Sequence, residues 1–486
     1  MSAPPSAQNP VPGQGQAPPH TPLAGGPTGP TALRPLLGTV LTALATGASA
    51  RPGPLPAGGP ARSTAQVEEA VRPLFPDTGT GPHEALRTLV HALAAGAADP
   101  AHPHCAAHLH CPPLAVAVAA DLAASALNPS MDSWDQAPAA SALEEALTRT
   151  LAAEVFPAGP HPDTLVTTGG TESNQLALLL AREKHGLHGP VQLVVGANAH
   201  HSLTRAAWLL GLPEPVVVPA PSGILDLAAL DEALTHLHHP LLVAATAGTT
   251  DTGQIDPLPE IADLCAQHGA DLHVDAAYGG PVLYSPGHRH LLHGLDRADT
   301  VTLDLHKLGW QPVAAGILAV PDSSALSPLA HQADYLNADD DTDAGIPDLL
   351  GRSLRTTRRP DALKIAVTLK SLGRDGFADL IERTLAAARL LADRVEKHPG
   401  LELYDRPTLS TVLFRPAGAT DDDVAQLRRR LLTEGRAVLG RTRTAGRLWL
   451  KATLLNPHVT PEDLDALLDL ALTHPTPAHP ERLSHR

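Results

Sequence analysis

The sequence predicts an α/β fold built on a mainly parallel sheet, with a smaller α+β region at its C-terminal end. Two observations carry this expectation. From Thr164 onward, short β-branched and aliphatic runs alternate with helix-length segments, the order in which parallel strands and crossover helices follow one another. Each run then ends in a cluster of polar residues, and open α/β sheets collect their ligands at the carboxyl ends of strands. Composition agrees: 43% hydrophobic and 18% charged residues describe a globular chain, and 486 residues suffice for more than one core.

The net charge of −16 argues against nucleic acid or an anionic membrane as a partner, since both reward clustered Lys and Arg. No run reaches transmembrane length. Cys105, Cys111 and Cys265 are too few and too unevenly placed for a disulfide framework, which points to a reducing cytoplasm.

In chain order, residues 1–30 are dominated by Pro, Gly, Gln and Ala and read as a disordered tail. Residues 31–100 form a helical segment. Within it, Arg34–Ala50 has the basic start, apolar run and Ala-x-Ala ending of a signal peptide, but it begins deep in the chain and holds Pro35. An amphipathic helix is the expectation there, and Glu84–Ala95 is another, with Leu86, Leu89, Val90 and Leu93 on one stripe. The run His102 to Cys111 carries four His and two Cys, a zinc-like set, yet has no paired second half. Pro103, Pro112 and Pro113 make it a rigid loop that lines a pocket, with no metal. A buried helix, Leu114–Leu127, leads to the loop Asn128–Gln136, with Asp132, Trp134 and Asp135, and to a helix at Ser141–Leu151.

The strand expected at Thr164–Thr168 turns through Gly169, Gly170, Thr171 and Glu172 into the helix Gln175–His185. Paired glycines before a helix N-terminus form a phosphate cradle, while the lysine of a P-loop and the spacing of a dinucleotide fingerprint are missing. Val191–Val195 leads to His200, Leu241–Thr246 to Gly248 and Thr249, and Asp271–Val274 to Asp275 and Ala277. Thr300–Leu303 leads to Asp304, His306 and Lys307. A lysine just beyond a buried strand is costly to desolvate as an ammonium, which is the setting of a Schiff-base lysine. A further strand at Ala314–Val320 precedes an acidic stretch, 337–351, expected to be a mobile lid. Helices at Asp361–Leu372 and from Gly376 to Lys397, strands near Leu401 and Thr411, and a last helix at Pro461–Leu472 complete the chain. The expected organisation is a large domain over 101–375, a small one over 376–473, and a frayed tail over 474–486.

TTGGTESN (167–174), AHHS (199–202), ATAGTTDTGQID (245–256), HVDAAYGG (273–280), DLHK (304–307) and TTRRPDALK (356–364) together resemble one family. It is the group II pyridoxal-phosphate-dependent amino-acid decarboxylases, of the fold-type I class, and the resemblance runs from about Thr31 to Leu472. AHLHCPP (107–113), NPSMDSWDQ (128–136) and DYLNADDD (334–341) are most similar to its bacterial diaminobutyrate and lysine branch.

The resemblance implies pyridoxal 5'-phosphate as cofactor, with Lys307 carrying its aldehyde as a Schiff base, Asp275 paired with the ring nitrogen and His200 stacked on the ring. Gly170, Thr171, Asp304 and His306 occupy phosphate-contacting positions, and Thr246 and Ala277 lie against the ring. Asp132 stands where aromatic decarboxylases hold an aromatic residue, so it would meet the ammonium of a diamino acid, L-2,4-diaminobutyrate ahead of ornithine and lysine. His108, His110, Cys111 and Trp134 would complete a polar wall. Leu349 takes the lid position of a tyrosine that helps protonate the product carbon in aromatic decarboxylases, leaving His200 or water for that task. An aromatic decarboxylase, a transaminase and a silent scaffold remain the alternatives. The resemblance also implies a homodimer, with 31–100 in its interface and loops 102–111 and 128–136 reaching the partner's cofactor.

Overall fold

Three helices open the chain: α1 (Gly29–Ser49), α2 (Gly59–Val71) and α3 (Pro82–Gly96). This computed structural model describes residues 21–186, 188–238, 240–331, 336 and 338–472. Residues 1–20 of the expected tail, all of the C-terminal tail over 474–486 and part of the 334–341 motif lie outside the described residues. Small residues let α1 approach α3, since a Cβ on Gly47 would stand 2.6 Å from that of Ala94. Arg51 then closes the pair, donating to the carbonyls of Ala94 and Ala97 at the C-terminal end of α3 while meeting Asp99 at 3.0 Å. The stripe expected on α3 is covered in part: Leu86, Leu89 and Val90 are half-buried, while Leu93 is 65% exposed, as is Leu41 of α1 at 66%.

After β1 (Cys105–Ala106), α4 (Ala115–Leu127) and α5 (Pro138–Val155), the chain enters the large sheet. Its strands are β2 (Asp163–Thr167), β3 (Gln192–Gly196), β4 (Val216–Val218), β5 (Leu241–Thr246), β6 (Asp271–Ala276), β7 (Thr300–Asp304) and β8 (Gly316–Val320). They stand in the order β2-β8-β7-β6-β5-β3-β4, and β8 is antiparallel to both neighbours, so the other six run parallel. Helices α6 (Gly170–His185), α7 (His201–Leu209), α8 (Leu227–His236) and α9 (Leu258–His268) connect them. Every residue of β5 and β7 is buried, which is why these strands read as continuous apolar or β-branched runs rather than alternating ones. The parallel strands all release their chain at one edge of the sheet, and the site lies there.

A short helix, α10 (Asp339–Asp343), precedes α11 (Ala362–Lys397). The two helices expected over 361–397 are the two arms of this span, separated where Gly373 leaves helical geometry at φ 63° and ψ −174°. Then come β9 (Leu401–Leu403), β10 (Thr411–Pro416), α12 (Asp421–Thr433), β11 (Val438–Thr444), β12 (Arg447–Thr453) and α13 (Pro461–Leu472). The second sheet has the order β1-β11-β12-β10-β9, with Cys105 and Ala106 paired to Val438 and Leu439. The His/Cys run is therefore not wholly irregular, as its prolines suggest. Two of its residues supply the first strand of the second sheet, and Ala106 packs into that core with Phe414 and Leu450. Among the described residues, no helix is long and apolar enough to cross a membrane.

Candidate active site

Lys307 reaches the sheet edge because β7 ends in a tight loop. Leu305 N–H donates to Ala315 O at 2.8 Å and Gln311 N–H to Leu305 O at 3.0 Å. Within that loop a Cβ on Gly309 would meet Leu305 O at 2.4 Å, so only glycine fits. Trp310, fully buried, ties the loop down by donating its indole N–H to Leu455 O at 2.7 Å. On this anchored turn Lys307 Nζ lies 2.9 Å from Asp304 Oδ2, and His306 Nε2 lies 3.5 Å from the same oxygen. Burial holds the His306 imidazole below its usual pKa, against the pull of Asp304.

Facing the lysine is the turn into α6. A Cβ on Gly170 would stand 2.9 Å from Ala277 Cβ and 3.1 Å from Asp304 Oδ2, so the backbone sits as close as a glycine permits. Among the described residues, no side chain caps α6, which leaves the N–H groups of its first turn open. Glu172 turns away, accepting from Thr168 N–H at 2.6 Å and meeting Arg355 at 3.2 Å.

The third wall is a hydrogen-bonded network. Asp275 Oδ1 accepts from Ala277 N–H at 3.1 Å, and Oδ2 accepts from the amide of Asn174 at 2.8 Å. Asn174 also donates to Ser202 Oγ at 2.9 Å, and Ser202 Oγ lies 2.8 Å from His200 Nδ1. His200 caps α7 by accepting from Ser202 N–H. Burial lowers its pKa, and Asp275 offsets this only in part, so the ring is neutral at neutral pH. Beneath it His273, fully buried, is pushed down to about 4 by desolvation and is neutral as well.

These groups surround a cavity of about 310 Å³. Lining it are Gly170, Thr171, His200, Thr246, Asp275, Ala277, Asp304, His306 and Lys307, all read from the sequence as candidates. Asn174 and Leu109, which that reading does not single out, line it too. Asn174 had a signal, since it closes the TTGGTESN run one helical turn past Gly170.

Six candidates do not line this chain's cavity. Cys111 lies behind the lysine loop, buried, its thiol donating to His306 O at 3.2 Å and pushed up to about 12 by burial. His108 and His110 flank Leu109, which reaches the cavity in their place. Asp132 is 6% exposed and accepts from Gln136 Nε2 at 2.8 Å, a side-chain bond within its own loop. Trp134 and Leu349 line a separate cavity of about 760 Å³, beside Arg149 and Arg352. Sequence adjacency to the motifs placed them together, but the loop 128–136 is held against the start of α11, where Met131 N–H donates to Arg358 O at 3.0 Å.

The residues present fit pyridoxal phosphate. An open helix N-terminus suits its phosphate, a buried carboxylate its ring nitrogen, and a lysine its aldehyde. Thr246 Oγ1 and Asp304 Oδ1 are buried without a protein partner, as groups awaiting a ligand would be.

Comparison with known proteins gives the same answer. The family model described as "Pyridoxal-dependent decarboxylase conserved domain" matches residues 83–417. An L-2,4-diaminobutyrate decarboxylase of Rhizobium meliloti (strain 1021) is 42% identical over 416 residues, 81% of this chain and 82% of that protein. A second protein of that name, from Acinetobacter baumannii, is 33% identical over 425 residues, 80% of this chain and 83% of its own. Among solved structures, the glutamate decarboxylase domain of a diaminobutyrate-pyruvate transaminase and L-2,4-diaminobutyrate decarboxylase from Vibrio parahaemolyticus superposes with a TM-score of 0.82. It is 32% identical and covers 93% of this chain and 96% of its own. The chain belongs to the pyridoxal-dependent decarboxylase family and is a pyridoxal-phosphate-dependent amino-acid carboxy-lyase of the fold-type I class.

Proposed function

We propose that this enzyme decarboxylates a small L-diamino acid, L-2,4-diaminobutyrate ahead of ornithine and lysine, giving 1,3-diaminopropane. The observation that carries this reading is the 42% identity, over 81% of the chain, to a protein named for that activity. When bound, pyridoxal phosphate supplies the electron sink that makes loss of CO2 possible. The chain's own residues do the rest. Lys307 offers the primary amine that anchors the aldehyde, held by Asp304 at 2.9 Å. The α6 N-terminus and the Thr171 hydroxyl would hold the cofactor's phosphate, with His306 beside them on the lysine loop. Asp275 would keep a proton on its ring nitrogen, and Thr246 and Ala277 would border the ring. His200, neutral and with Nδ1 engaged, would keep Nε2 for proton delivery to Cα, since Leu349 stands at the position of the lid tyrosine.

Asp132 is the proposed partner of the substrate's distal ammonium, and His108, His110, Cys111 and Trp134 are the other proposed pocket residues. Because Asp132 does not line the cavity of its own chain, this role requires a homodimer in which loop 128–136 serves the partner's site. Uncovered apolar side chains on α1 and α3, Leu41 and Leu93 among them, support such an interface. Three unpaired cysteines fit a cytoplasmic location.

Turnover of diaminobutyrate, ornithine, lysine, aspartate, glutamate, tyrosine and DOPA tests the substrate. Diaminobutyrate is expected to lead in kcat/KM, and Asp132→Asn is expected to raise its KM by about ten-fold or more, the worth of one charge-assisted hydrogen bond. A preference for tyrosine, DOPA or an acidic amino acid would overturn the assignment. The shared site has its own test: light scattering should give twice the monomer mass, and activity should fall on dilution together with that mass. Full activity at monomer mass would remove the partner's loop from the site.

A further inference from the structure

Asn174, one turn into α6 and 1% exposed, makes four bonds at the centre of the site. Their directions follow from its partners. A carboxylate has no hydrogen to give, so the amide nitrogen must face Asp275 Oδ2, 2.8 Å away. The amide oxygen then accepts from Thr302 Oγ1 at 2.8 Å and from His273 Nε2 at 3.1 Å. The second amide hydrogen goes to Ser202 Oγ at 2.9 Å. That oxygen therefore accepts from Asn174, and its own hydrogen is free for His200 Nδ1 at 2.8 Å. The backbone N–H of Ser202 faces the same ring nitrogen at 3.3 Å. With two donors aimed at it, Nδ1 carries the lone pair, and the single proton of the neutral ring sits on Nε2.

We propose that Asn174 is a positioning residue that couples the two polar groups of the site. One amide hydrogen fixes the Asp275 carboxylate against rotation. The other, relayed through Ser202, sets the tautomer of His200, so that the ring offers an N–H from Nε2 rather than a lone pair. Asn174 has the shape for this because all four of its hydrogen-bonding positions are used, two as donor and two as acceptor, with no water needed. The proposal rests on the pyridoxal-phosphate reading for what Asp275 and His200 act upon. The tautomer is a property of the chain itself.

Nitrogen-15 NMR of the full-length protein labelled at histidine, with and without pyridoxal phosphate, reads that property directly. His200, assigned by loss of its signal in His200→Gln, is expected to show a bare Nδ1 and a protonated Nε2 in both samples. N174D keeps the shape and the acceptors facing Thr302 and His273 but loses both N–H donors. It is expected to raise the pyridoxal-phosphate Kd and lower kcat by about ten-fold or more each, with KM within about two-fold, as loss of an outer-shell partner does. S202A removes the hydroxyl relay, leaving only the longer backbone N–H of residue 202 on His200 Nδ1 and keeping the Asn174–Asp275 bond. Its cofactor Kd is expected to stay within about two-fold while the His200 spectrum gains the other tautomer and kcat falls several-fold. Should N174D fail to fold, the wild-type tautomer and S202A decide the matter. A His200 protonated on Nδ1, an N174D protein with wild-type Kd and kcat, or an S202A protein with wild-type kcat and spectrum would overturn the coupling. If the wild type itself takes up no pyridoxal phosphate, it is the functional reading that fails instead.

Discussion

Lys307→Ala is expected to lose both the absorption of the lysine-bound cofactor, near about 420 nm, and CO2 release, the latter by about 10³-fold or more. Among the described residues lining the cavity, Lys307 carries the one primary amine, so no neighbour can take over its bond to the aldehyde. The substitution also strips Asp304 of its 2.9 Å partner and leaves a buried carboxylate with only His306, at 3.5 Å. Loss of activity could then reflect loss of structure. Lys307→Arg separates the two effects: a guanidinium still offsets the charge of Asp304 but does not condense with an aldehyde at neutral pH. It should melt close to the wild type and still lack the band and the turnover. A Lys307→Arg protein that retained both would show that some other group binds the cofactor, and the active-site assignment would have to move.

The sheet edge was legible because chemistry and position coincide there. The parallel strands β2, β3, β5, β6 and β7 lead into residues that line the cavity, and a run such as Thr300 to Lys307 states both the strand and its functional end. The substrate wall was less legible. Asp132 and Leu349 were placed by their neighbours in sequence, while their direction is set by long-range contacts, such as that of Met131 with Arg358, that no local pattern encodes. Asn174 escaped notice for a related reason. A polar residue near the start of a helix ordinarily reads as solvated, and only the fold brings Asp275, Ser202, His273 and Thr302 around it. In the second sheet the β11–β12 hairpin was missed because its turn takes positive φ at Ala445 (50°) as well as Gly446 (71°). Such a turn is usually announced by Asn-Gly or Asp-Gly, and alanine there gives no signal. By contrast α12 was announced and overlooked, since Thr420 and Asp423 form a capping box before an apolar periodic run.

Arg358→Ala is expected to destabilise the fold by about 3–5 kcal/mol, through the charge it leaves behind rather than the contact it removes. Arg358 donates to both oxygens of Glu144, Nη1 at 2.7 Å and Nη2 at 2.6 Å, and each residue is only 4% exposed. Glu144 lies on α5, while Arg358 directly precedes α11 and accepts from Met131 N–H. The pair thus ties together α5, the loop 128–136 and the segment leading into α11. A bidentate pair so well shielded from water gains attraction at the cost of desolvating two charges, and the two nearly cancel. Removing one partner keeps the desolvation of the other and loses the attraction. Urea denaturation should therefore show a large fall in midpoint for Arg358→Ala and a comparable one for Glu144→Ala. Replacing both at once with methionine removes both desolvation costs and should recover most of the loss. A fall below about 1 kcal/mol for Arg358→Ala would mean that water reaches Glu144 freely and the pair behaves as a surface one. A double methionine variant no better than Arg358→Ala would mean that the geometry of the pair, and not the stranded charge, holds these three segments together.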